Sequence, residues 1–387
     1  MKIVIAPDSF KGSLTASQAC RAISEGVAGV FSDADLIQIP MADGGEGTVD
    51  ALVASTGGSF KKVNVLGPLC ETICAKYGIL GQNELTPGAK TVVIEMSAAA
   101  GLPLVVADQR NPLYTTTYGL GQMIIDALDN GCRNFIIGIG GSATNDCGCG
   151  MAQALGVKFL DEQQHAIGKP LNGELLARIS DVDIKDIDSR LTQCSVIVAS
   201  DVTNPLLGVN GASRTYATQK GACPDEVELL EKNVASVINV IESKLNVWVR
   251  NIPGSGAAGG LGAGLLAFLN ARLKSGIDIV IEYSGFEKHI IDADLIITGE
   301  GQVNHTSAQG KTISGILKCA SKNKIPVIVI AGCLGKGYES ILDLGAKAVF
   351  SICSDSISSE QAMKNAESLL GLTAQNAISE YVSSGRE

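Results

Sequence analysis

Three apolar runs in this chain end in glycine-rich turns that carry an acidic residue, and this feature constrains the fold more than any other. The turns are PMADGGEGT from Pro40, GIGGSATND from Gly138 and TGEGQVN from Thr298. Glycine allows positive φ and a close approach of the backbone to a ligand, so that amide N–H groups can bind an anion. An acid beside such a turn suggests a metal ion carried with a phosphate. The turns together predict strands that feed ligand-binding loops, in an enzyme that handles a phosphorylated ligand.

Strand-like runs alternate with helical stretches along most of the chain. Thr15 to Phe31 and Pro224 to Lys244 carry apolar side chains at helical spacing behind residues that favour a helix start. Between Ser59 and Leu80 the apolar residues alternate instead, and Gly67-Pro68 interrupts the run, which predicts a β-hairpin. The alternation is typical of an α/β protein with largely parallel sheets. The hairpin indicates where an inserted second domain with a mixed sheet begins.

Length and charge limit the class of protein. The 387 residues exceed what one hydrophobic core usually serves, so two domains are expected, and 45% hydrophobic residues suffice to fill both. A formal charge of -10 repels polyanions, so we expect no nucleic-acid partner and no anionic membrane. The chain shows neither a signal-peptide pattern at its start nor an apolar run of membrane-spanning length, and we expect a cytoplasmic protein.

The eleven cysteines favour reduced, buried thiols. Most lie inside apolar runs, as do Cys194, Cys319, Cys333 and Cys353. The pair Cys147 and Cys149 lacks the spacing and the partner pair of a zinc site, which leaves zinc as a minor alternative.

A second alternative is a dehydrogenase. Gly138-x-Gly140-x-x-Ala143 is a variant of the dinucleotide-binding fingerprint, and Asp161 follows at roughly the distance of a ribose-binding acid. A single fingerprint is weak, and Asp161 comes after an intervening helix and strand, so this interpretation stays secondary.

The first strand leads directly into polar residues with the chemistry of phosphoryl transfer. Such a reaction needs cations and amides on phosphates, carboxylates for Mg²⁺, and a group that orients the attacking hydroxyl. Asp8, Ser9 and Lys11 follow the strand at the end where open α/β sheets bind ligands. Lys11 is suited to a phosphate or a substrate carboxylate, and Asp8 to orienting a hydroxyl. The structural alternative is that Asp8 or Ser9 only caps a helix.

The other two strand ends offer the remaining groups. Asp43 precedes Gly44 and Gly45, and we assign it to a metal or to a hydroxyl. Gly140 to Ser142 form a predicted phosphate cradle ahead of Thr144 and Asp146, because they connect a strand to a helix.

Nine motifs in order along the chain resemble the bacterial class I glycerate kinases. They are MKIVIAPDSFKGSLTA, PMADGGEGTVDAL, IEMSAAAGL, RNPLYTTTYG, GIGGSATND, DVTNPLLG, QKGA, GAAGGLGAG and ITGEG. The resemblance implies ATP-dependent phosphorylation of D-glycerate with Mg²⁺, with 2-phosphoglycerate as the favoured product. It also implies a flavodoxin-like α/β domain built from residues 1–60 and 288–387, an inserted mixed-sheet domain from 61 to 287, and an active site in the cleft between them.

The predicted site combines the residues of these motifs. Its catalytic members are Asp8, Lys11, Asp43, Asp201 and Lys311. Its cofactor-binding members are Ser9, Gly44, Gly45, Gly140, Gly141, Ser142, Thr144, Asn204, Gln219, Lys220, Gly256 and Asn304. Its metal ligands are Asp43, Asp146 and Glu300.

The last motif departs from the family pattern. Where relatives have an arginine, an aspartate and a glutamine, this chain has Gln302, Asn304 and Thr306. An amide in place of a carboxylate keeps the shape but removes a Mg²⁺ ligand or a proton acceptor. Two alternatives follow from this change: a kinase for another small hydroxy acid, and a relative that binds its ligands with impaired catalysis.

Overall fold

The computed structural model of the chain describes residues 1–81, 85, 88–354 and 357–384. The chain divides into two compact units. Unit 1 consists of Met1–Asp43, Asp50–Gly57 and the residues from Ser275 onward, and unit 2 of Gly44–Val49 and Gly58–Lys274. The predicted boundaries lay at residues 60 and 288.

The strands of the described residues are numbered in chain order. They are β1 (Lys2–Ile5), β2 (Asp35–Gln38), β3 (Ser59–Leu66), β4 (Thr72–Ile79), β5 (Lys90–Glu95), β6 (Cys132–Gly138), β7 (Lys158–Leu160), β8 (Asp181–Asp183), β9 (Ser195–Ala199), β10 (Arg272–Lys274), β11 (Leu295–Val303), β12 (Val327–Leu334) and β13 (Ala348–Ser351).

The α-helices follow the same convention. They are α1 (Ala16–Ala28), α2 (Thr48–Thr56), α3 (Ser97–Ala100), α4 (Tyr118–Asp129), α5 (Cys149–Ala154), α6 (Ala212–Tyr216), α7 (Pro224–Leu245), α8 (Leu261–Leu269), α9 (Gly276–Ser284), α10 (Phe286–His289), α11 (Thr312–Asn323), α12 (Ser340–Asp343), α13 (Ser359–Lys364) and α14 (Ala366–Ser384). Over the described ranges, no helix combines the length and the apolar content that crossing a bilayer would require.

Unit 1 is built on a five-stranded parallel sheet in the order β13-β12-β11-β1-β2. Counted along unit 1 alone and read from the other edge, this order is 2-1-3-4-5, which is that of flavodoxin. The predicted flavodoxin-like sheet is therefore confirmed. In this topology the strand order reverses between β1 and β11, and open α/β sheets bind ligands beyond the carboxyl ends of the strands at that point.

Unit 2 is built on a mixed sheet in the order β10-β9-β6-β5-β4-β3. Four strands from β10 to β5 run parallel, whereas β4 is antiparallel to β5 and β3 is antiparallel to β4. The β3–β4 pair is the predicted hairpin, with Ser59 opposite Ile79. Strands β7 and β8 form a separate two-stranded sheet. The inserted mixed-sheet fold is thus confirmed as well.

The two predicted helices begin where the sequence indicates. Thr15 caps α1 through a reciprocal capping box with Gln18, and the apolar side chains Ala19, Ile23 and Val27 are buried. Helix α7 opens with Pro224 at its first position, where the missing N–H removes no hydrogen bond, and its acidic first turn suits the positive end of the helix dipole.

The expectation of reduced thiols is wrong for one pair. Cys333 in β12 and Cys353 just after β13 form a disulfide, with Cα atoms 5.3 Å apart. The two strands are adjacent and parallel, and Ala331 lies opposite Ser351. Two residues further along each strand, the side chains return to the same face of the sheet, which brings the two sulfurs together. Cys319 remains a buried free thiol, and Cys194 a partly buried one.

Candidate functional site

Asp8 stands at the point in unit 1 where the strand order reverses. It follows β1, and its backbone N–H donates to the carbonyl oxygen of Gly299 in β11 at 2.8 Å. β1 and β11 are parallel neighbours, so their carboxyl ends open at the same edge of the sheet. This edge is where the sequence places the acid of the first motif and the acid of the last, Glu300.

The Asp8 carboxylate is buried and hydrogen-bonded at both oxygens. The hydroxyl of Thr312 donates to Oδ2 at 2.5 Å, and the N–H of Ser9 donates to Oδ1 at 2.6 Å. Burial raises the pKa of Asp8 to about 7, with help from the negative charges of Asp43 and Glu300, and the two hydrogen bonds partly oppose the rise. Asp8 therefore titrates in the range where a general base operates near neutral pH.

Glu300 lies close enough to Asp43 and Lys311 to be influenced by both charges. Burial raises the pKa of Glu300, a hydrogen bond from Ser307 and the charge of Lys311 lower it, and Asp43 raises it. Its Oε1 atom is buried and has no hydrogen-bond partner among the residues that the structure describes. A buried carboxylate oxygen without a partner is costly unless a ligand satisfies it.

Asp43 and Glu300 fit a magnesium ion that arrives with a nucleotide. Within the described part of the chain, no group of three or more His, Cys, Asp or Glu side chains forms a metal cage. Mg²⁺ usually binds through one or two carboxylates together with phosphate oxygens and water, so a cage is not required. The unpartnered oxygen of Glu300 suits such a ligand.

The Lys11 backbone and the Lys311 side chain both lie near the carboxyl end of β11 in unit 1. A Cβ built on Gly301 would lie 3.1 Å from the backbone nitrogen of Lys11, which places the Lys11 segment directly against β11. Lys311 is the N-cap residue of α11 and its charge acts on Glu300. Unit 1 thus brings together the predicted Asp8, Ser9, Lys11, Asp43, Glu300 and Lys311.

Two predicted glycine turns meet in unit 2. A Cβ on Gly140 would lie 3.5 Å from the Cα of Gly45, and one on Gly138 would lie 2.9 Å from the carbonyl oxygen of Gly44. Only residues without a side chain permit this approach at Gly138. Gly140 and Gly141 are exposed, and Gly141 adopts a φ of 72°, a conformation that favours glycine.

Lys220 supports this turn from inside unit 2. Its ammonium donates to Ser142 Oγ at 2.8 Å and to the carbonyl oxygen of Thr144 at 2.7 Å, and the residue is 2% exposed. Burial lowers the pKa of Lys220 to about 7, and the nearby Asp146 partly opposes this change. The structure thus joins two residues that were predicted separately as ligand contacts, and the lysine lies beneath the turn.

Asp146 has a structural role that its predicted role as a metal ligand did not include. It is fully buried, and its oxygens accept hydrogen bonds from the N–H and hydroxyl of Thr117 at 2.8 and 2.7 Å and from the N–H groups of Gly148 and Gly150 at 3.1 and 3.3 Å. Four donors share its two oxygens and the side chain has no exposed surface, so we assign Asp146 to the framework of unit 2 and leave it out of the metal site.

Comparisons with known proteins cover nearly the whole chain. The model of the Glycerate kinase family matches residues 3–382. The chain belongs to the glycerate kinase family. It is 48% identical over 374 residues to a glycerate kinase of Halalkalibacterium halodurans, and this match covers 97% of this chain and 96% of the relative. It is 47% identical over 366 residues to a glycerate 2-kinase of Escherichia coli, and this match covers 95% of this chain and 94% of the relative.

A solved structure agrees with this family over the complete fold. The crystal structure of a putative glycerate kinase 2 from Salmonella typhimurium LT2 matches with a TM-score of 0.89 and 42% identity, and the match covers 100% of both chains. Membership establishes that this protein is an enzyme that phosphorylates glycerate.

Three predicted ligand contacts of this chain, Asn204, Gly256 and Asn304, already have partners within the fold. The side chain of Asn204 accepts from the hydroxyl of Tyr216 at 2.7 Å and donates to the carbonyl oxygen of Asn210 at 2.8 Å. The N–H of Gly256 donates to the Asn204 carbonyl oxygen at 3.0 Å, and a Cβ at Gly256 would lie 2.1 Å from the carbonyl oxygen of Pro205. Close backbone packing explains Gly256 without an anion.

Asn304 is the third predicted ligand contact that already has a partner within the fold. Its side-chain oxygen accepts from the N–H and the hydroxyl of Thr306, both at 2.8 Å, and caps the short 3-10 helix His305–Ala308. The amide therefore has a local structural role in this enzyme, since it begins the helix that carries Ser307, the hydrogen-bond partner of Glu300.

Asp201 and Gln219 are both exposed residues of unit 2, and their roles as ligand contacts remain predictions. Asp201 comes after β9, the parallel neighbour of β6, so the turns after these two strands emerge at the same sheet edge. Gln219 precedes the buried Lys220 in the 3-10 helix Thr218–Lys220.

Thr312 is the contact that sequence reasoning missed in this enzyme. Gly310-Lys311-Thr312 opens α11 directly after the last motif, and only the lysine was singled out. A hydroxyl after a Gly-Lys pair at a helix start was the available signal, but its partner Asp8 lies near the other end of the chain.

The dehydrogenase alternative does not fit the fold. Asp161 follows β7, which pairs with β8 in the two-stranded sheet and is not a neighbour of β6. Its carboxylate accepts from the N–H groups of Gln163 and His165, at 3.0 and 2.9 Å, and so closes a local turn. The acid therefore lacks the position at the end of the second sheet strand that ribose binding requires.

Proposed function

We propose that this enzyme transfers the terminal phosphoryl group of ATP to the 2-hydroxyl of D-glycerate and releases 2-phosphoglycerate and ADP. The Escherichia coli relative, 47% identical, is named a glycerate 2-kinase, which supports the 2-position. The observation that carries the proposal is the Asp8 carboxylate, buried at the β1–β11 reversal point beside Asp43 and Glu300.

Asp8 is the proposed proton acceptor. As the acceptor oxygen of glycerate bonds to the terminal phosphorus, the bond between that phosphorus and the bridging oxygen of ATP breaks, and its electron pair leaves with ADP. The hydroxyl proton passes to Asp8, whose pKa of about 7 suits the exchange of a proton near neutral pH. Phosphoryl transfer asks little of a base beyond positioning, so the orientation of Asp8 matters as much as its basicity.

The cations of unit 1 are assigned to the charge on the reactants. Lys11 and Lys311 neutralise the transferring phosphoryl group or the glycerate carboxylate. Asp43 and Glu300 would hold Mg²⁺, which, when bound, neutralises phosphate charge. The unpartnered Oε1 of Glu300 supports this assignment.

The glycine turn of unit 2 is assigned to an anion. Gly140, Gly141 and Ser142 follow a parallel strand in an exposed turn, and Gly44 and Gly45 lie against it. Turns of this kind present backbone N–H groups to phosphates. Lys220 strengthens the turn because it fixes Ser142 and the Thr144 carbonyl group from below.

A coupled assay of ADP release with Mg-ATP and D-glycerate tests the proposal. Reactions with L-glycerate and without an acceptor measure stereospecificity and background hydrolysis. Enolase alone converts 2-phosphoglycerate, so the appearance of phosphoenolpyruvate without a mutase identifies the phosphorylated hydroxyl.

The variants Lys311→Ala and Asp8→Asn test the assignments in unit 1. We expect a fall in kcat of roughly 10²- to 10⁴-fold for Asp8→Asn if it accepts the proton. Product that requires phosphoglycerate mutase before enolase would reject the 2-position, and ADP release without a requirement for D-glycerate would reject the acceptor. Unchanged turnover in Asp8→Asn would remove Asp8 from the mechanism.

A further inference from the structure

The hydroxyl of Thr312 reaches the buried carboxylate of Asp8 from the first turn of a helix. Thr312 is the first residue of α11, a helix of 12 residues, and its side chain is fully buried. Its Oγ1 donates to Oδ2 of Asp8 at 2.5 Å. Because the helix fixes the backbone of Thr312 and the core fixes its side chain, the donor has a defined position.

The remaining contacts of Asp8 do not set the direction of its carboxylate independently. The backbone N–H of Asp8 donates to Gly299, which places the Cα atom but not the side-chain rotamer. The hydrogen bond to Oδ1 comes from Ser9, the next residue along the chain, and moves with the same segment. Thr312 therefore supplies the side-chain hydrogen bond that ties the carboxylate to α11, a separate element of the unit.

We propose that Thr312 is a positioning residue for phosphoryl transfer, because its hydroxyl holds the Asp8 carboxylate in the orientation that accepts the proton of the acceptor hydroxyl. This inference rests on the proposed role of Asp8. Thr312 does not touch the reactants in this scheme. The Thr312 hydroxyl donates to Oδ2 of Asp8 and so fixes the rotamer of the carboxylate that accepts the proton.

The size of the expected effect follows from the sensitivity of transfer reactions to geometry. A displacement of about 1 Å at a reacting group can cost on the order of 10²-fold in rate. Loss of the Thr312 hydroxyl frees the Asp8 rotamer but removes no group that binds nucleotide or glycerate. The effect should therefore appear in kcat and leave the two KM values nearly unchanged.

Two substitutions separate the hydrogen bond from packing. Thr312→Val keeps the shape and removes the hydroxyl, and Thr312→Ser keeps the hydroxyl and removes the methyl group. We expect Thr312→Val to lower kcat by roughly 10- to 100-fold with both KM values within about threefold of wild type, and Thr312→Ser to stay within about threefold in kcat. Thr56→Val is the matched control, because it removes a hydroxyl hydrogen bond to Leu52 in α2 of the same unit.

A double-mutant cycle with Asp8→Asn tests whether the effect passes through Asp8. If it does, Thr312→Val lowers kcat in the wild-type background and changes it by less than about twofold in the Asp8→Asn background. Equal losses in both backgrounds would overturn the inference, as would a folded Thr312→Ser protein that is as slow as Thr312→Val. Urea unfolding midpoints of all variants show which proteins are folded.

The same measurements keep the two proposals apart. Turnover of D-glycerate with another nucleoside triphosphate but not with ATP would reject ATP as the phosphoryl donor. The double-mutant cycle, measured with the donor that supports turnover, would still test the role of Thr312. Wild-type turnover in Asp8→Asn rejects the role of Asp8 and the inference with it. Wild-type kcat in Thr312→Val, together with a strong loss in Asp8→Asn, rejects the inference alone.

Discussion

Lys220 donates a hydrogen bond to Ser142 at 2.8 Å although the lysine is almost completely buried and faces a backbone carbonyl group in place of a carboxylate. Burying an ammonium without a directly bonded acid is costly, and the low pKa of Lys220 reflects that cost. This buried lysine lies under the turn that we assign to an anion. Its hydrogen bonds therefore connect the stability of unit 2 with the shape of that turn.

Replacing Lys220 by methionine is expected to destabilise unit 2 by about 1–3 kcal/mol at alkaline pH, because Ser142 and Thr144 lose a buried donor. The folded pKa of Lys220, about 7, lies below its value of 10.5 in the unfolded chain. Its contribution is therefore present above the unfolded pKa and is lost as the pH falls through the folded pKa. Urea unfolding at about pH 6 and about pH 9 should show a larger loss at the higher pH.

Lys62→Met is the matched control for this change, since Lys62 is an exposed lysine of β3 in the same unit. A pH-dependent difference of the same size in Lys62→Met would show that the effect does not come from the buried amine. A Lys220→Met protein with wild-type stability at both pH values would contradict the structural role.

The positions of the main motifs follow from rules that act locally. Asp8 follows the strand Lys2–Ile5, which is apolar from Ile3 onward, and the carboxyl end of a parallel strand is where such folds bind ligands. The β3–β4 hairpin could be predicted because alternation and the Gly67-Pro68 break act over a few residues. These features need no knowledge of which distant segments meet.

The features that escaped prediction are contacts across long stretches of sequence. Thr312 and Asp8 meet only because β1 and β11 become neighbours in the sheet. The disulfide of Cys333 and Cys353 depends on the register of β12 against β13. Asp146 looked like a ligand because its acid follows a glycine turn, and the two donors of Thr117 that bind it reach it only in the folded chain.

Asp8→Asn is expected to change the pH dependence of stability with the opposite sign to Lys220. Burial raises the folded pKa of Asp8 from 3.8 to about 7, so its contribution is present below the unfolded pKa and is lost as the pH rises through the folded value. Relative to wild type, Asp8→Asn should therefore be more stable at about pH 8 than at about pH 5, as measured by urea unfolding.

Asp33→Asn provides the reference for this comparison, because Asp33 is an exposed carboxylate of the same unit. The stability difference between Asp33→Asn and wild type should vary little between the two pH values. If the stability of Asp8→Asn relative to wild type changes with pH no more than that of Asp33→Asn, burial does not raise the pKa of Asp8.

Asn304→Ala is expected to cost about 1 kcal/mol, because it removes the side-chain cap of the 3-10 helix His305–Ala308. Asn304→Asp should keep wild-type stability, since aspartate caps as well as asparagine does. Chemical unfolding of the two variants measures the difference. A gain in kcat of Asn304→Asp without a change in stability would show that a carboxylate at this position improves catalysis in this chain. Equal stability of Asn304→Ala and wild type would contradict the cap.

Cys353→Ser tests the bond between Cys333 and Cys353. The disulfide closes a loop with a sequence separation of 20 residues, for which the loss of unfolded-state entropy corresponds to about 3 kcal/mol. Reductant should lower the unfolding midpoint of wild type towards that of Cys353→Ser and should leave Cys353→Ser unchanged. Cys319→Ser, which removes a free thiol of the same unit, should keep the wild-type response to reductant. Thiol titration of the denatured, unreduced protein should find nine free thiols, and a titre equal to all eleven cysteines would show that the bond does not form.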